Sequence, residues 1–169
     1  PPDEQAMTTY QRKRSQVPQR LTRGAAPALV LLLIPVFAGC ADPSLPTTTG
    51  RVGGTEFQLE VAADPDSRAQ GLMFREELGE WQGMVFVFPD SRQRSFWMRN
   101  TYVPLSIAFL ASDGTIREIY DMQPESERLT QSRGSARIAV EVLQGAFERA
   151  GIGVGDRFVF EPPLPLALD

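Results

Sequence analysis

The 169-residue sequence predicts a mainly β fold, a compact antiparallel barrel or jelly-roll-like sandwich of about seven strands with two short helices. Three features predict this class. Short runs of alternating apolar and polar residues recur along the chain, as in half-buried strands. Ser112, Asp113 and Gly114 separate two β-rich runs, and Asp-Gly suits a tight hairpin turn. Most connections are shorter than the roughly dozen residues that a parallel crossover needs, so the strands should pair mainly antiparallel.

The first predicted elements are a strand and a helix. In TEFQLEVA (55–62), apolar residues alternate with polar ones, which indicates a strand buried on one face. The next segment places Asp64 as N-cap, Pro65 as the first helical residue and Gly71 as the C-terminal stop. These positions predict one or two helical turns.

The later elements follow from the same patterns. Six further runs read as strands, and the segment GAFERAG (145–151) reads as a second short helix. The six predicted strands lie at residues 83–90, 94–100, 105–111, 115–122, 136–144 and 156–161.

A signal-peptide layout precedes Cys40. A basic stretch at 11–23 is followed by an apolar run at 25–39. The run is shorter than the roughly 20 residues that span a bilayer, and two prolines interrupt it. We therefore expect residues 1–39 to be a signal peptide, with Met7 as an alternative start.

The junction at residues 37–40 resembles the bacterial lipobox, in which a small residue precedes a Cys that is lipidated and becomes the new N-terminus. Phe37 stands where Leu is usual. An ordinary cleaved signal is the alternative, and both interpretations predict export. A lipid at Cys40 would anchor the protein to a membrane, facing the periplasm or the cell exterior. Asp42 comes one place too late for the usual inner-membrane retention signal, which favours the outer membrane.

The expected organisation after the leader has three parts. Residues 40–50 form a lipidated Cys and a flexible, Pro-containing tether. Residues 51–161 form a single β domain, and residues 162–169 form a Pro-rich tail.

Composition excludes several chemistries. The chain has no His, its only Lys is Lys13 and its only Cys is Cys40. Ser-His and Cys-His nucleophile pairs, His-ligated zinc, a Schiff base in the domain and an intrachain disulfide are therefore excluded. Residues 40–169 keep twelve basic and nineteen acidic residues, a net charge of −7, which argues against nucleic-acid binding. An enzyme here would depend on carboxylates, hydroxyls, Arg, Asn or a bound ion.

Six motifs follow one another in a characteristic order. They are GLMFR (71–75), GMVFVF (83–88), FWMRNT (96–101), PLSIAFL (104–110), SDG (112–114) and VEVLQGAFERAGIGVGD (140–156). This ordered set resembles the domain of unknown function family 192, a set of small prokaryotic proteins that are often exported. The resemblance covers about residues 53–161 and implies a compact β structure of barrel or jelly-roll type, without an established activity. The family commonly has an acidic residue after Pro-Leu, where this chain has Ser106, so a role for that carboxylate does not carry over to this chain.

Three methionines suggest a soft-metal hypothesis. Met73, Met84 and Met98 lie close to Trp97 in a segment rich in Phe, and thioethers capped by an indole are suited to Cu(I). The simpler interpretation, which we favour, is that these side chains fill the core, because Met commonly does so.

A ligand-binding hypothesis centres on Trp97 and Asn100, joined by Arg75 and Glu141. Alternation over 94–100 places Trp97 and Arg99 on one face and Phe96, Met98 and Asn100 on the other, and one of the two faces should be wet. If Trp97 is exposed beside Arg99, the indole could stack on a flat ligand such as a sugar. In the simpler account Trp97 packs under a loop, Asn100 caps a turn and Arg75 pairs with a carboxylate.

Glu141 interrupts the apolar run VEVL on the face opposite Val140 and Val142. A carboxyl on a semi-apolar face has a raised pKa unless it is paired, and we expect an ion pair with Arg75 or Arg137.

We expect a domain that binds a small molecule or an envelope component without catalysis and without a cofactor. A carboxylate-based hydrolase acting on envelope sugars, with Glu141 as the acid, is the alternative from another class. A structural or protein-interaction lipoprotein and soft-metal binding are the remaining alternatives.

Overall fold

A computed structural model of the chain describes residues 44–168. The predictions for the signal peptide and for a lipid at Cys40 lie outside the described residues. Of the helices in the described part, none combines the length and apolarity needed to cross a membrane.

The described residues form nine strands and two short helices, which confirms the mainly β class. The strands are β1 Thr47–Val52, β2 Thr55–Ala62, β3 Gln82–Arg92, β4 Ser95–Phe96, β5 Leu105–Leu110, β6 Ile116–Met122, β7 Thr130–Gln131, β8 Ala136–Leu143 and β9 Val159–Glu161, and the helices are α1 Pro65–Gln70 and α2 Ala146–Arg149.

Seven strands form one sheet in the order β6-β5-β8-β3-β2-β1-β9, and β4 pairs with β7 in a small second sheet. All pairs are antiparallel except β2 with β3. An isolated bridge between Thr115 and Arg157 brings the two ends of the large sheet together at one point. The ladder does not continue from that bridge, so the sheet is open and the architecture is sandwich-like.

The parallel pair is produced by a crossover through α1. Asp64 begins the helix as predicted, because its carboxylate accepts a hydrogen bond of 2.9 Å from the Ser67 backbone N–H, and Pro65 follows at the first helical turn. Gly71 ends the helix with a φ of 52°, a conformation that favours glycine. The mainly antiparallel prediction therefore holds with one exception, the pair of β2 and β3 on either side of α1.

Apolar side chains are buried on both faces of the central strands. On one face lies a core built around Phe57, Val85 and Val140. On the other lies a core built around Phe86 and Phe109. Strands of this kind lose the polar alternation of a half-exposed sheet, because neither face is left to water. The second face carries the site described below.

Three sequence predictions need correction. Strand β1 begins at Thr47, so the end of the segment predicted as a tether, 40–50, belongs to the sheet. In the predicted strand 94–100 only Ser95–Phe96 pairs, because the chain turns at Asn100, whose φ is 54°. The tail also packs on the domain, since the Leu168 backbone N–H donates to the carbonyl of Ala63 at 2.8 Å.

Candidate functional site

Glu141 lies in the middle of the large sheet. Its strand, β8, is paired on one side with β3 and on the other with β5. The register places Met84 and Ile107 directly beside it, and both are fully buried. An acidic side chain therefore stands among apolar neighbours at the centre of the second core.

Gly83 brings the β8 backbone close to β3. A Cβ atom at this position would lie 2.0 Å from the carbonyl oxygen of Glu141, far inside van der Waals contact. Gly83 lies within β3, as the predicted strand 83–90 has it. Its role is steric, because only a residue without a side chain allows the backbone of Glu141 to pack here.

The carboxyl group of Glu141 is nearly buried and has no hydrogen-bond or ion-pair partner among residues 44–168. Since no fully buried polar side-chain atom in this part of the chain lacks a partner, the carboxyl oxygens keep a small exposed area. The side chain is only 4% exposed, and burial is the one cause that raises the pKa of Glu141 to about 8. No donor or cation among residues 44–168 offsets that burial. The predicted ion pair is wrong, because Arg75 binds Glu60 instead, with 2.6 Å between the guanidinium Nη2 and the carboxylate Oε2. Glu141 is therefore largely protonated at pH 7.

A pocket of about 250 Å³ opens above Glu141. It lies between the end of α1, strand β3, the segment from Ser95 to Thr101 and β8. Its apolar walls include Leu72, Met73, Phe86, Phe88, Phe96 and Trp97. Concave, mostly apolar sites with few polar groups are typical of small-molecule pockets.

The mouth of the pocket includes an exposed indole. Trp97 is 42% exposed, and the guanidinium of Arg99 lies 5.5 Å from the centre of its ring. Trp97 and Arg99 are both exposed, whereas Met98 between them is buried. Phe96 packs inward, edge-on to Phe86 with 5.0 Å between the ring centres.

Two strained residues hold the walls together. Phe74 and Asn100 both have positive φ angles, of 64° and 54°. The backbone N–H of Phe74 donates to the carbonyl of Asn100 at 2.7 Å. This bond ties the residue that follows Met73 to the turn after Trp97, so that two opposite walls of the pocket are fixed to each other.

Phe88 anchors the wall next to α1. The guanidinium of Arg94 lies 4.0 Å from the centre of its ring, and that of Arg68 lies 5.6 Å from it. Arg94 is only 5% exposed and donates through Nε to the carbonyl of Ala136 at 3.1 Å. Sequence reasoning missed this arrangement, and the only available signal was an Arg inside an aromatic segment.

The structure places the four predicted ligand-binding residues in three locations. Trp97 and Glu141 line the same pocket. Arg75 lines a neighbouring groove, where it is paired with Glu60. Asn100 lies at the turn beside the pocket and contributes its backbone carbonyl to the bond with Phe74.

The three methionines are divided between the second core and the pocket wall. Met84 and Met98 are 0% and 1% exposed and pack within the second core. Met73 lines the pocket. The packing of Met84 and Met98 matches the core-filling interpretation.

Ser106 lies on β5, next in the chain to Ile107, and so on the opposite face of the sheet from Glu141. Its hydroxyl donates to the Asp121 carboxylate at 2.5 Å and accepts from the Gly145 backbone N–H at 3.0 Å. The hydroxyl thus joins β5 to β6 and to the start of α2, away from the pocket.

Two other depressions in the surface are weaker candidates for a binding site. The larger, of about 920 Å³, is lined by Glu60, Asp64 and Arg75, but Arg75 pairs with Glu60 and Asp64 caps α1. The other, of about 480 Å³, lies beside Tyr120 and Arg133. Neither contains a buried ionisable group among the described residues.

The fold and the site together define a small, mainly β domain with an apolar pocket that ends on a buried carboxyl group. The family model of DUF192, described as an uncharacterised ACR, matches residues 47–160. The chain belongs to this family of unknown function. The resemblance identified from the motifs is confirmed, and the family match includes β1.

Two solved structures are similar to this chain. A protein from Sinorhizobium meliloti 1021, provisionally described as a transcription regulator, is 36% identical, with a TM-score of 0.68 over 71% of this chain and 98% of its own. A protein of unknown function from Novosphingobium aromaticivorans is 27% identical, with a TM-score of 0.62 over 80% of this chain and 99% of its own. No curated protein matches the chain.

Proposed function

We propose that this domain binds a small molecule, without catalysis, in the pocket between Trp97 and Glu141. One observation carries the proposal. A carboxyl group that is only 4% exposed, and unpaired within residues 44–168, lies at an apolar pocket of about 250 Å³. A hydrogen bond to a charged group contributes about 1.5–3 kcal/mol, so a ligand that donates to the carboxylate of Glu141 would gain binding free energy.

Binding is proposed in preference to hydrolysis of envelope sugars. Glycosidases of the two common mechanisms use a pair of carboxylates that flank the reacting bond. Within residues 44–168, Glu141 is the only carboxylate that lines this pocket. Regulation through nucleic acid, suggested by the description of the Sinorhizobium relative, is disfavoured by the net charge of −7 on residues 40–169.

A thermal-shift screen tests the proposal. The probes are phenethylamine, 2-phenylethanol, N-acetylglucosamine and Ag(I), measured on the wild type, Trp97→Ala and Tyr102→Ala. Tyr102 is the matched control, since it is 45% exposed, near Trp97 in sequence and not part of the pocket wall. A ligand at 100 times its Kd stabilises the folded state by about 2.7 kcal/mol.

We expect at least one organic probe to raise the Tm of the wild type and of Tyr102→Ala but not of Trp97→Ala. A Tm shift that survives Trp97→Ala would contradict the proposed pocket. A response to Ag(I) alone would favour the methionine hypothesis, and silence from every probe would favour a structural or protein-binding role.

We also propose that the domain is carried outside the cytoplasm on a lipid attached to Cys40, with the outer membrane as its destination. The basic and apolar leader that ends at this single Cys supports it. Mass spectrometry of the mature protein should find an N-terminal peptide that begins at Cys40 and carries acyl chains. An N-terminal peptide without acyl chains would contradict the anchor.

A further inference from the structure

The chemistry of the pocket indicates one class of ligand. We propose that it binds a small molecule with an ammonium head group and a short apolar body, and that the ammonium contacts the carboxylate of Glu141. This inference rests on the proposed function, because it names the ligand class of the same pocket.

The first argument is the missing counter-charge. Arg68 on α1 lines the same pocket as Glu141, Arg99 lies against Trp97, and Arg137 belongs to the same strand as Glu141. None of them lowers the pKa of Glu141, since burial is its only perturbation. The neighbouring side chains on β3 and β5, Met84 and Ile107, carry no charge. A ligand cation would therefore supply the partner that the described chain lacks.

The position of Arg68 explains why this Arg does not fill that role. One terminal nitrogen donates to the carbonyls of Ala63 and Val87, at 2.7 and 3.0 Å, and the other donates to the carbonyl of Leu168 at 2.9 Å. Its terminal nitrogens are thus engaged by backbone oxygens. Two ionisable side chains line the pocket, Arg68 and Glu141, and of these Glu141 is the one without a partner among residues 44–168.

The second argument is the aromatic wall. Phe86, Phe96 and Trp97 line the pocket together with Glu141. Aromatic faces attract cations, and a desolvated site strengthens this attraction to about 2 kcal/mol. The net charge of −7 on residues 40–169 also favours the approach of a cation. An anionic ligand would be repelled by the faces of these rings and by the net negative charge.

The third argument is the shape of the site. A volume of about 250 Å³ with apolar sides and one carboxyl group suits a ligand with a single polar end. The wall also contains the polar side chains of Gln70, Ser95 and Thr101, and that of Arg68, whose terminal nitrogens already donate to backbone carbonyls. Glu141 is the one carboxyl group that lines the pocket, so it is the group that favours a cationic polar end over a neutral one.

Binding includes a proton transfer that can be measured. The neutral carboxylic acid of Glu141 loses its proton to the buffer as the ammonium, which keeps its own charge, forms an ion pair with the resulting carboxylate. Because the pKa of Glu141 is about 8, roughly 0.9 protons should be released per ligand bound at pH 7. The ionised fraction is about 1% at pH 6 and one half at pH 8, so affinity should rise about 50-fold between these values.

Isothermal titration calorimetry with phenethylamine and 2-phenylethanol tests the inference, since the two probes differ only in the ammonium group. We expect the amine to bind about 10- to 100-fold more tightly, which corresponds to one charge-assisted hydrogen bond. Titration at pH 7 in two buffers of different ionisation enthalpy measures proton release. Glu141→Gln should abolish the preference and the proton release, whereas Glu148→Gln, an exposed residue of α2, should keep both.

Equal affinities for the two probes, absence of proton release, or a preference that survives Glu141→Gln would each overturn the ligand class. The pH dependence of the wild type is a second test that needs no variant, and an affinity for the amine that is equal at pH 6 and pH 8 would also overturn it. A Trp97-dependent response to 2-phenylethanol or N-acetylglucosamine, but not to the amine, would overturn this inference while leaving the proposed function intact.

Discussion

The burial of Glu141 predicts that the domain loses stability as the pH rises from 4.5 to 8. The ordinary pKa of a Glu is 4.5, and burial raises that of Glu141 to about 8 in the folded state. Between these values the unfolded chain releases a proton that the folded chain keeps, so ionisation favours unfolding. The contribution of protonated Glu141 to the free energy of unfolding is therefore fully present below the pKa of the unfolded chain. It falls as the pH rises and levels off above the pKa of the folded chain.

The magnitude follows from the size of the shift. One pKa unit corresponds to about 1.36 kcal/mol, so a rise from 4.5 to about 8 amounts to about 5 kcal/mol in all. At pH 7, ionisation of Glu141 in the unfolded chain has lowered the free energy of unfolding by about 3 kcal/mol of this total. Glu141→Gln has nearly the same shape and never ionises. It should therefore be about 3 kcal/mol more stable than the wild type at pH 7 and within about 1 kcal/mol of it at pH 5.

Urea unfolding of both proteins at pH 5, 6, 7 and 8, followed by circular dichroism, measures this difference directly. Other titrating groups act equally in the two proteins, so the difference between their free energies of unfolding isolates residue 141. Glu148→Gln is the control and should follow the wild type at every pH. A difference between wild type and Glu141→Gln that stays constant from pH 5 to pH 8 would refute the reasoning.

Three further predictions concern the framework of the site, and thermal or urea unfolding measures each one. Gly83→Ala should lower the free energy of unfolding by at least about 3 kcal/mol, because its Cβ would lie 2.0 Å from a backbone oxygen of β8. Gly153→Ala is the control and should be nearly neutral, because the space around Gly153 is open. Similar melting curves for the two variants would contradict this prediction. Ser106→Ala should cost about 1–3 kcal/mol, because it leaves the Gly145 N–H without its acceptor, and exposed Ser112→Ala should change little. Equal effects of the two Ser variants would show that the bond is unimportant. Arg94→Ala should lower the free energy of unfolding by about 2–3 kcal/mol, because it removes hydrogen bonds and the packing on Phe88. Arg92→Ala is the control, and its free energy of unfolding should stay within about 0.5 kcal/mol of the wild type, because the Arg92 side chain is 71% exposed. A neutral Arg94→Ala would contradict the structural role of Arg94.

Local patterns predicted much of the fold correctly. The cap at Asp64, the Pro65 that follows it and the stop at Gly71 act within a few residues of each other, so the limits of α1 can be read directly from the sequence. The Asp113-Gly114 turn is equally local, since the side chain of Asp113 accepts from the Thr115 N–H at 3.0 Å. No comparable local pattern in the sequence indicates the short strand β7 or the start of β1 at Thr47.

The candidate site was only partly predictable. Alternation placed Glu141 on the face opposite Val140, and the structure has this arrangement. Alternation over 94–100 did not determine which face is exposed, and the structure exposes Trp97. The partner of Arg75 could not be predicted, because which carboxylate it meets depends on strands distant in sequence. Glu60 on β2 is that partner. The close approach at Gly83 was hidden for the same reason.

By itself, the sequence determined the strand-rich class, the local caps and turns, and the absence of imidazole, lysine and thiol chemistry from residues 44–168. Only the tertiary structure decided that β8 lies between β3 and β5, with a second core covering the face that carries Glu141. The physical reason is that desolvation is not local. A carboxyl group loses water only when segments from elsewhere in the chain cover it, and here those segments include Leu72, Phe86 and Phe96.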